Sequence, residues 1–169
     1  MRKFLIAYTL KATIVISLAV LLSGSMAGQG IVMQRNLSLP MAKAIAEATI
    51  AACKAKGFNT AAAVVDRAGQ VLVLLRDEQA TSQMLEMARR KAYTARMFRV
   101  PTSEFQKRTS GDSTSAAQRD LVDILALGGG VPIQIGNETI GGVGSAGSSQ
   151  QGDEDCAKAG IAKVADFLK

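Results

Sequence analysis

Eight of the sixteen glycines in this 169-residue chain fall between Gly128 and Gly147, in and around two apolar runs of strand length. Val131 to Ile135 and Thr139 to Val143 read as strands, and Gly136-Asn137-Glu138 joins them as a tight hairpin. A glycine has no Cβ, so the triplet Gly128-Gly129-Gly130 permits a sharp turn or the close approach of another group to the backbone. It is neither a dinucleotide fingerprint nor a P-loop, because no Lys-Ser/Thr pair follows it. Gly141, Gly142, Gly144 and Gly147 sit late in the second strand and beyond it. Glycine there marks a bulge, a close backbone contact or a nest of N–H groups. A purely structural turn and a ligand-facing backbone both satisfy this pattern.

The remaining elements follow from periodicity. Ser38 reads as a helix cap with Pro40 in the first turn, and Ala42, Ile45, Ala46, Thr49 and Cys53 recur at helical spacing. Lys54, Lys56 and Gly57 end that helix. Thr60 to Asp66 and Val71 to Leu75 read as strands around an Asp66–Gly69 turn. So short a connection requires antiparallel pairing, since a parallel return needs a dozen or more residues. Thr81 to Arg99 is helical, with Met84, Met87, Ala88, Ala92, Ala95 and Phe98 on one face. Glu86, Arg89, Arg90, Tyr93 and Arg96 fall largely on the other, and Glu86 is four residues before Arg90. Phe105 to Ser115 is polar and carries no clear pattern. Gln118 to Leu127 reads as a short helix or a turn-rich segment. A last helix is expected from Cys156 to Leu168, with Asp153, Glu154 and Asp155 at its positive end. The order predicts an α+β fold, a single compact domain with a largely antiparallel sheet flanked by helices.

Residues 1–27 have the order of a secretory leader. Arg2, Lys3 and Lys11 form a basic head, Ala12 to Leu22 is uncharged, and Ser25 and Ala27 are small residues at a cleavage site. The uncharged run is too short to span a bilayer, so no stable membrane insertion is expected after cleavage. Residues 28–36 are expected to be a flexible segment and 37–169 the folded domain, in a periplasmic or secreted protein. The net charge of +6 falls when the leader leaves, and aromatic residues are only 4% with no Trp, which argues against nucleic-acid binding. The chain has no His, so a Ser-His-Asp triad, a Cys-His pair and a His-ligated metal or haem are all excluded. Cys53 and Cys156 are too far apart in sequence for a CxxC site. They could form a disulfide in an oxidising compartment, but the expectation is two buried free thiols packing as small hydrophobes. Arg89-Arg90-Lys91 beside Tyr93 is either a solvated helix face or a seat for ligand carboxylates.

Several stretches together carry a resemblance: KAYTA at 91–95, LALGGGVPIQIGNETIGGVGSAG at 125–147 and DEDCAKAG at 153–160. LSLPMAKAIAEATIAACKAKGF and AAAVVDRAGQVLVLLRDE add to it. The chain resembles the GlcG-like, HbpS-like family, also labelled the haem-degrading domain family, from about Leu37 to Lys169. The resemblance implies a profilin-like layout, homo-oligomers and, in some secreted members, haem binding. Two family patterns differ here: Glu78-Gln79-Ala80 follows Asp77, and Gly144-Ser145-Ala146-Gly147 follows the fourth strand.

The expected function is a secreted, periplasmic, oligomeric ligand-binding protein for haem or a related tetrapyrrole. The alternatives are an enzyme acting on a small organic acid or degrading haem, with Lys91 or Tyr93 as proton donor, and a structural accessory subunit of a partner complex. The expected ligand-binding residues are Arg76, Arg90, Lys91, Tyr93, Thr94, Gly128, Gly129, Gly141 and Gly142. Arg76, Arg90 and Lys91 offer charge for carboxylates, the glycines offer exposed backbone, and Tyr93 with Met84, Met87 and Met97 offers haem ligation without His.

Overall fold

Helix α1 (Leu39–Lys54) starts where Ser38 Oγ accepts a hydrogen bond from Met41 N at 3.3 Å, with proline in the first turn. Its buried residues are Ala42, Ile45, Ala46, Thr49 and Cys53, the five that the spacing selects. This computed structural model describes residues 30–111 and 114–169, so the expected leader at 1–27 lies outside the described residues. Residues 30–36 form no helix or strand, and Arg35–Lys169 make one compact unit.

Strand β1 (Ala61–Val65) pairs antiparallel with β2 (Val71–Arg76) through the Asp66–Gly69 turn. Asp66 shapes the turn, its Oδ1 accepting from Ala68 N at 2.8 Å and Gln70 N at 2.9 Å. Helix α2 (Gln83–Phe98) and the short α3 (Thr102–Arg108) follow, then a 3-10 turn at Ala116–Asp120. Thus α3 fills the start of the stretch whose sequence showed no pattern, and Gln118–Leu127 proves turn-rich. Strands β3 (Gly130–Ile135) and β4 (Glu138–Ala146) form the second hairpin. The sheet order is β2-β1-β4-β3, with every pair antiparallel.

Helix α4 (Gln150–Ala162) begins six residues earlier than its sequence pattern indicates. Ser149 is its cap, accepting from Gly152 N at 3.1 Å. Asp153 lies within the first turn, and both Asp153 and Glu154 are buried.

Strand β1 is buried throughout because it is central and covered on both faces. Ala62 and Val64 join the core shared with α1 and α4; Ala61, Ala63 and Val65 meet Ala88 and Ala92 of α2. Helices α1 and α4 pack closely: a Cβ on Gly160 would lie 2.1 Å from Thr49 Oγ1 and 2.7 Å from the Ile45 carbonyl. That approach sets Cys53 and Cys156 Cα atoms 5.5 Å apart, and the two form a disulfide. The expectation of free thiols is thus corrected. The pairing depends on helices 103 residues apart in sequence, which no local pattern reports.

Candidate functional site

The outer side of α2 carries Tyr93, Met97 and Phe98, and the segment at 121–124 runs beside it. Between them is an open groove of about 480 Å³ lined by Tyr93, Met97, Phe98, Leu121, Val122 and Ile124. Tyr93 and Met97 share a face because four residues make about one helical turn. The β1–β2 turn abuts the tyrosine ring: a Cβ at Gly69, which has φ +82°, would lie 2.8 Å from Tyr93 Cε2. The groove is apolar apart from the phenol and the thioether, and Val122 is 84% exposed at its edge.

Three α2 residues fasten the opposite wall. Arg89 donates to Asp123 Oδ1 at 2.7 Å while also holding Glu86 at 2.7 and 2.8 Å. Arg90 donates to the Ile124 carbonyl. Thr94 Oγ1 donates to the Arg90 carbonyl at 2.8 Å and accepts from Leu125 N at 2.9 Å. Asp123 turns the wall at φ +68°, a left-handed conformation that aspartate tolerates better than most residues. The Arg89 hydrogen bonds hold the Glu86 and Asp123 carboxyls below the usual carboxylate range, outweighing their partial desolvation. Glu86 therefore pairs with Arg89 three residues on, and not with Arg90, whose guanidinium is committed to the wall.

Lys91 points the other way, into the protein. Its side chain is 1% exposed, with Nζ 2.8 Å from Asp153 Oδ2 and 3.0 Å from the Ser145 carbonyl. The other carboxylate oxygen, Asp153 Oδ1, accepts from Ser148 N at 3.0 Å and Ser148 Oγ at 2.9 Å. Burial pushes the Lys91 ammonium below its usual range, and Asp153 opposes that shift. A lysine so enclosed offers neither a seat for a ligand carboxylate nor a proton to an outside substrate. It ties α2 to the first turn of α4 across the end of β4.

The glycines serve the same packing. Gly129, at φ +123°, has no room for a Cβ, which would lie 2.8 Å from Lys91 Nζ and 2.7 Å from Asp153 Cβ. A Cβ at Gly142 would lie 2.4 Å from the Ala92 carbonyl, so α2 rests directly on the sheet there. Gly141 is covered by Leu37 and the Val65 carbonyl, and Gly128 N donates to Gln150 Oε1 at 2.9 Å. The expected exposed backbone at these four positions is therefore buried against helix and side chain. Arg76 closes the loop after β2 by donating to the carbonyls of Asp77, Glu78 and Ala80.

Of the nine residues expected at the site, Tyr93 lines the groove, and Arg90 and Thr94 hold its wall. Met97 joins Tyr93; Met84 and Met87 pack against the α2-side core. Sequence reasoning missed Phe98, Leu121, Val122 and Ile124 as lining and Arg89 and Asp123 as the wall's anchor. The available signal was the apolar run Leu121-Val122 with Ile124-Leu125 in a segment lacking a strand or long helix. Among the described residues no group of three His, Cys, Asp or Glu side chains could hold a metal ion.

Fold and groove together define a small α+β domain: a four-stranded antiparallel sheet between helices, with an open, mainly apolar groove on one helix. The chain belongs to the HbpS-like family, whose description, haem degrading protein HbpS-like, matches residues 37–162. The crystal structure of HbpS is similar, with 36% identity and a TM-score of 0.75 over 82% of this chain and 96% of that one. A complex of PduOC with haem shares the fold, with 24% identity and a TM-score of 0.69 over 75% and 94% of the two chains. A 15.0 kDa protein from Citrobacter freundii, encoded between dhaT and dhaS, is 28% identical over 128 residues, 75% of this chain and 90% of the relative.

Proposed function

We propose that this protein binds haem, or a related tetrapyrrole, in the groove between α2 and segment 121–124. The observation that carries the reading is a phenol and a thioether, Tyr93 and Met97, one helical turn apart in an otherwise apolar groove. Both side-chain types ligate haem iron, and no His competes in this chain. Phe98, Leu121, Val122 and Ile124 offer surface for a flat macrocycle, and Arg89, Arg90 and Thr94 hold that wall in place. The family description and the PduOC–haem complex support the same ligand class. Bound haem would supply iron-centred chemistry; the chain's own residues would orient the ring and shield one face from water.

Titration with haemin tests this. The wild type is expected to give a saturable Soret shift near one equivalent per chain. The Y93F/M97L variant should keep its circular dichroism and bind at least tenfold more weakly, a loss of about 1.4 kcal/mol. Equal affinity in that variant would remove the groove from the function.

We further infer that the protein works outside the cytoplasm as a homo-oligomer. The Cys53–Cys156 disulfide supports an oxidising compartment, and residues 1–27 have the order of a leader. Val71 and Leu74 remain exposed on the edge strand β2, as surface that a second copy would cover. Protein recovered from the host should begin near Gly28 and scatter light as a multimer at micromolar concentration. An intact Met1 on cytoplasmic protein would overturn the first part, and a monomer mass the second.

A further inference from the structure

Beside Met97 on α2, two arginines turn into a different cavity, of about 460 Å³. Arg96 lies in the last turn of the helix and Arg99 just after it; Arg67 joins them from the β1–β2 turn. Asn137, Glu138 and Thr139 of the β3–β4 hairpin supply the facing wall.

The charges here do not balance. Glu138 is the only acid in the lining, and it already pairs with Arg67 and, at 3.6 Å, with Arg35. The other acid close by is Asp66, whose Oδ1 is taken by two backbone N–H groups of its own turn. Among the described residues, neither the Arg96 nor the Arg99 guanidinium has a hydrogen bond or an ion pair, and Arg96 Nε is buried without a partner. A buried, unmatched donor is costly, and so is crowding three cations around one cavity. Burial, then repulsion from Arg67 and Arg99, lowers the Arg96 guanidinium below its ordinary range. Arg99 also adopts φ +60°, a helix-ending position where glycine is the unstrained choice. Its backbone therefore gains nothing from carrying an arginine.

We infer that this cavity is a binding site for a small oxyanion, a carboxylate or a phosphate, held by Arg96 and Arg99 with Arg67 and Asn137 beside them. Guanidinium groups present planar forks that match both anions, and a bound dianion would neutralise the surplus charge. The residues are separate from the Tyr93–Met97 groove, so the site stands whether or not that groove takes haem.

Calorimetric titration of the full chain with inorganic phosphate, and separately with malonate, at constant ionic strength tests the inference. One saturable site per chain is expected, and the tighter of the two probes identifies the anion chemistry. R96Q/R99Q should bind at least tenfold more weakly with its haemin titration unchanged. Y93F/M97L should bind the anions as the wild type does. R99G separates site from scaffold: it should melt no lower than the wild type, because the strained conformation is relieved, yet bind the anions several-fold more weakly. Heats no greater than those of chloride, or unchanged binding in both arginine variants, would overturn the site. So would a loss of haemin affinity in R96Q/R99Q without anion binding, which would assign these arginines to the tetrapyrrole.

Discussion

Replacing Cys53 and Cys156 together by alanine should lower the free energy of unfolding by about 4 kcal/mol. The bridge closes a loop of 103 residues, and cross-linking a loop of that order removes roughly 4–5 kcal/mol of chain entropy from the unfolded state. Both cysteines are fully buried, on helices that pack directly against each other, so the bridge also ties two major elements of the core. Small domains are stable by only about 5–15 kcal/mol in total, which makes this a large fraction. The melting temperature should fall by roughly 10 °C. Urea unfolding of the wild type, with and without a reductant, measures the same quantity without mutation. Reduction should move the wild type close to C53A/C156A and leave that variant unmoved. A change under 1 kcal/mol, or free thiols in protein made in an oxidising compartment, would contradict the bridge.

Lys91→Met should be about as damaging, at roughly 3–5 kcal/mol, because it strands the Asp153 carboxylate in a site from which water is excluded. Asp153 keeps its two bonds from Ser148, which argues for the lower end of that range. The contrast is Arg89→Ala, which breaks pairs to half-exposed carboxylates and should cost about 1 kcal/mol or less. Replacing both partners, as in K91M/D153L, should recover most of the loss, since an apolar pair needs no compensating charge. The pH dependence has a definite sign. The folded-state pKa of Lys91 is depressed, so the unfolded chain binds this proton more readily. The wild type should therefore gain stability relative to K91M/D153L as pH rises toward 10.5, the unfolded value, and lose that gain as pH falls through the folded value. Denaturant curves at neutral and alkaline pH check both claims. If K91M unfolds like the wild type, the buried pair is not a tie between α2 and α4.

These two expectations reverse what the residues suggest singly. Lys91 stands in the Arg89-Arg90-Lys91 run, and its neighbours do behave as a charged helix face, binding Glu86, Asp123 and the Ile124 carbonyl. Lys91 falls about 100° further round the helix, onto the side that faces β4, where only a carboxylate from α4 makes its charge tolerable. Reading Asp153 only as an acid suited to the positive end of the last helix missed that partner, because a local pattern does not say which element the first turn of α4 packs against.

Periodicity and turn chemistry by themselves determined the local structure. The spacing of Ala42, Ile45, Ala46, Thr49 and Cys53, the Asp66–Gly69 turn, and the Gly136-Asn137 hairpin each specify an element within a few residues of chain, and each is present. The same local rules, with the resemblance, were enough for the fold class and the family. Tertiary structure alone decided what the glycines, cysteines and cations do. Gly142 meets the Ala92 carbonyl, Cys53 meets Cys156, and Lys91 meets Asp153, each across 50 residues or more of chain. The Tyr93–Met97 groove is likewise tertiary, because its second wall at 121–124 comes from a segment with no regular element of its own. Hydrophobic spacing says which side of a helix or strand is buried; only the packed core says against what.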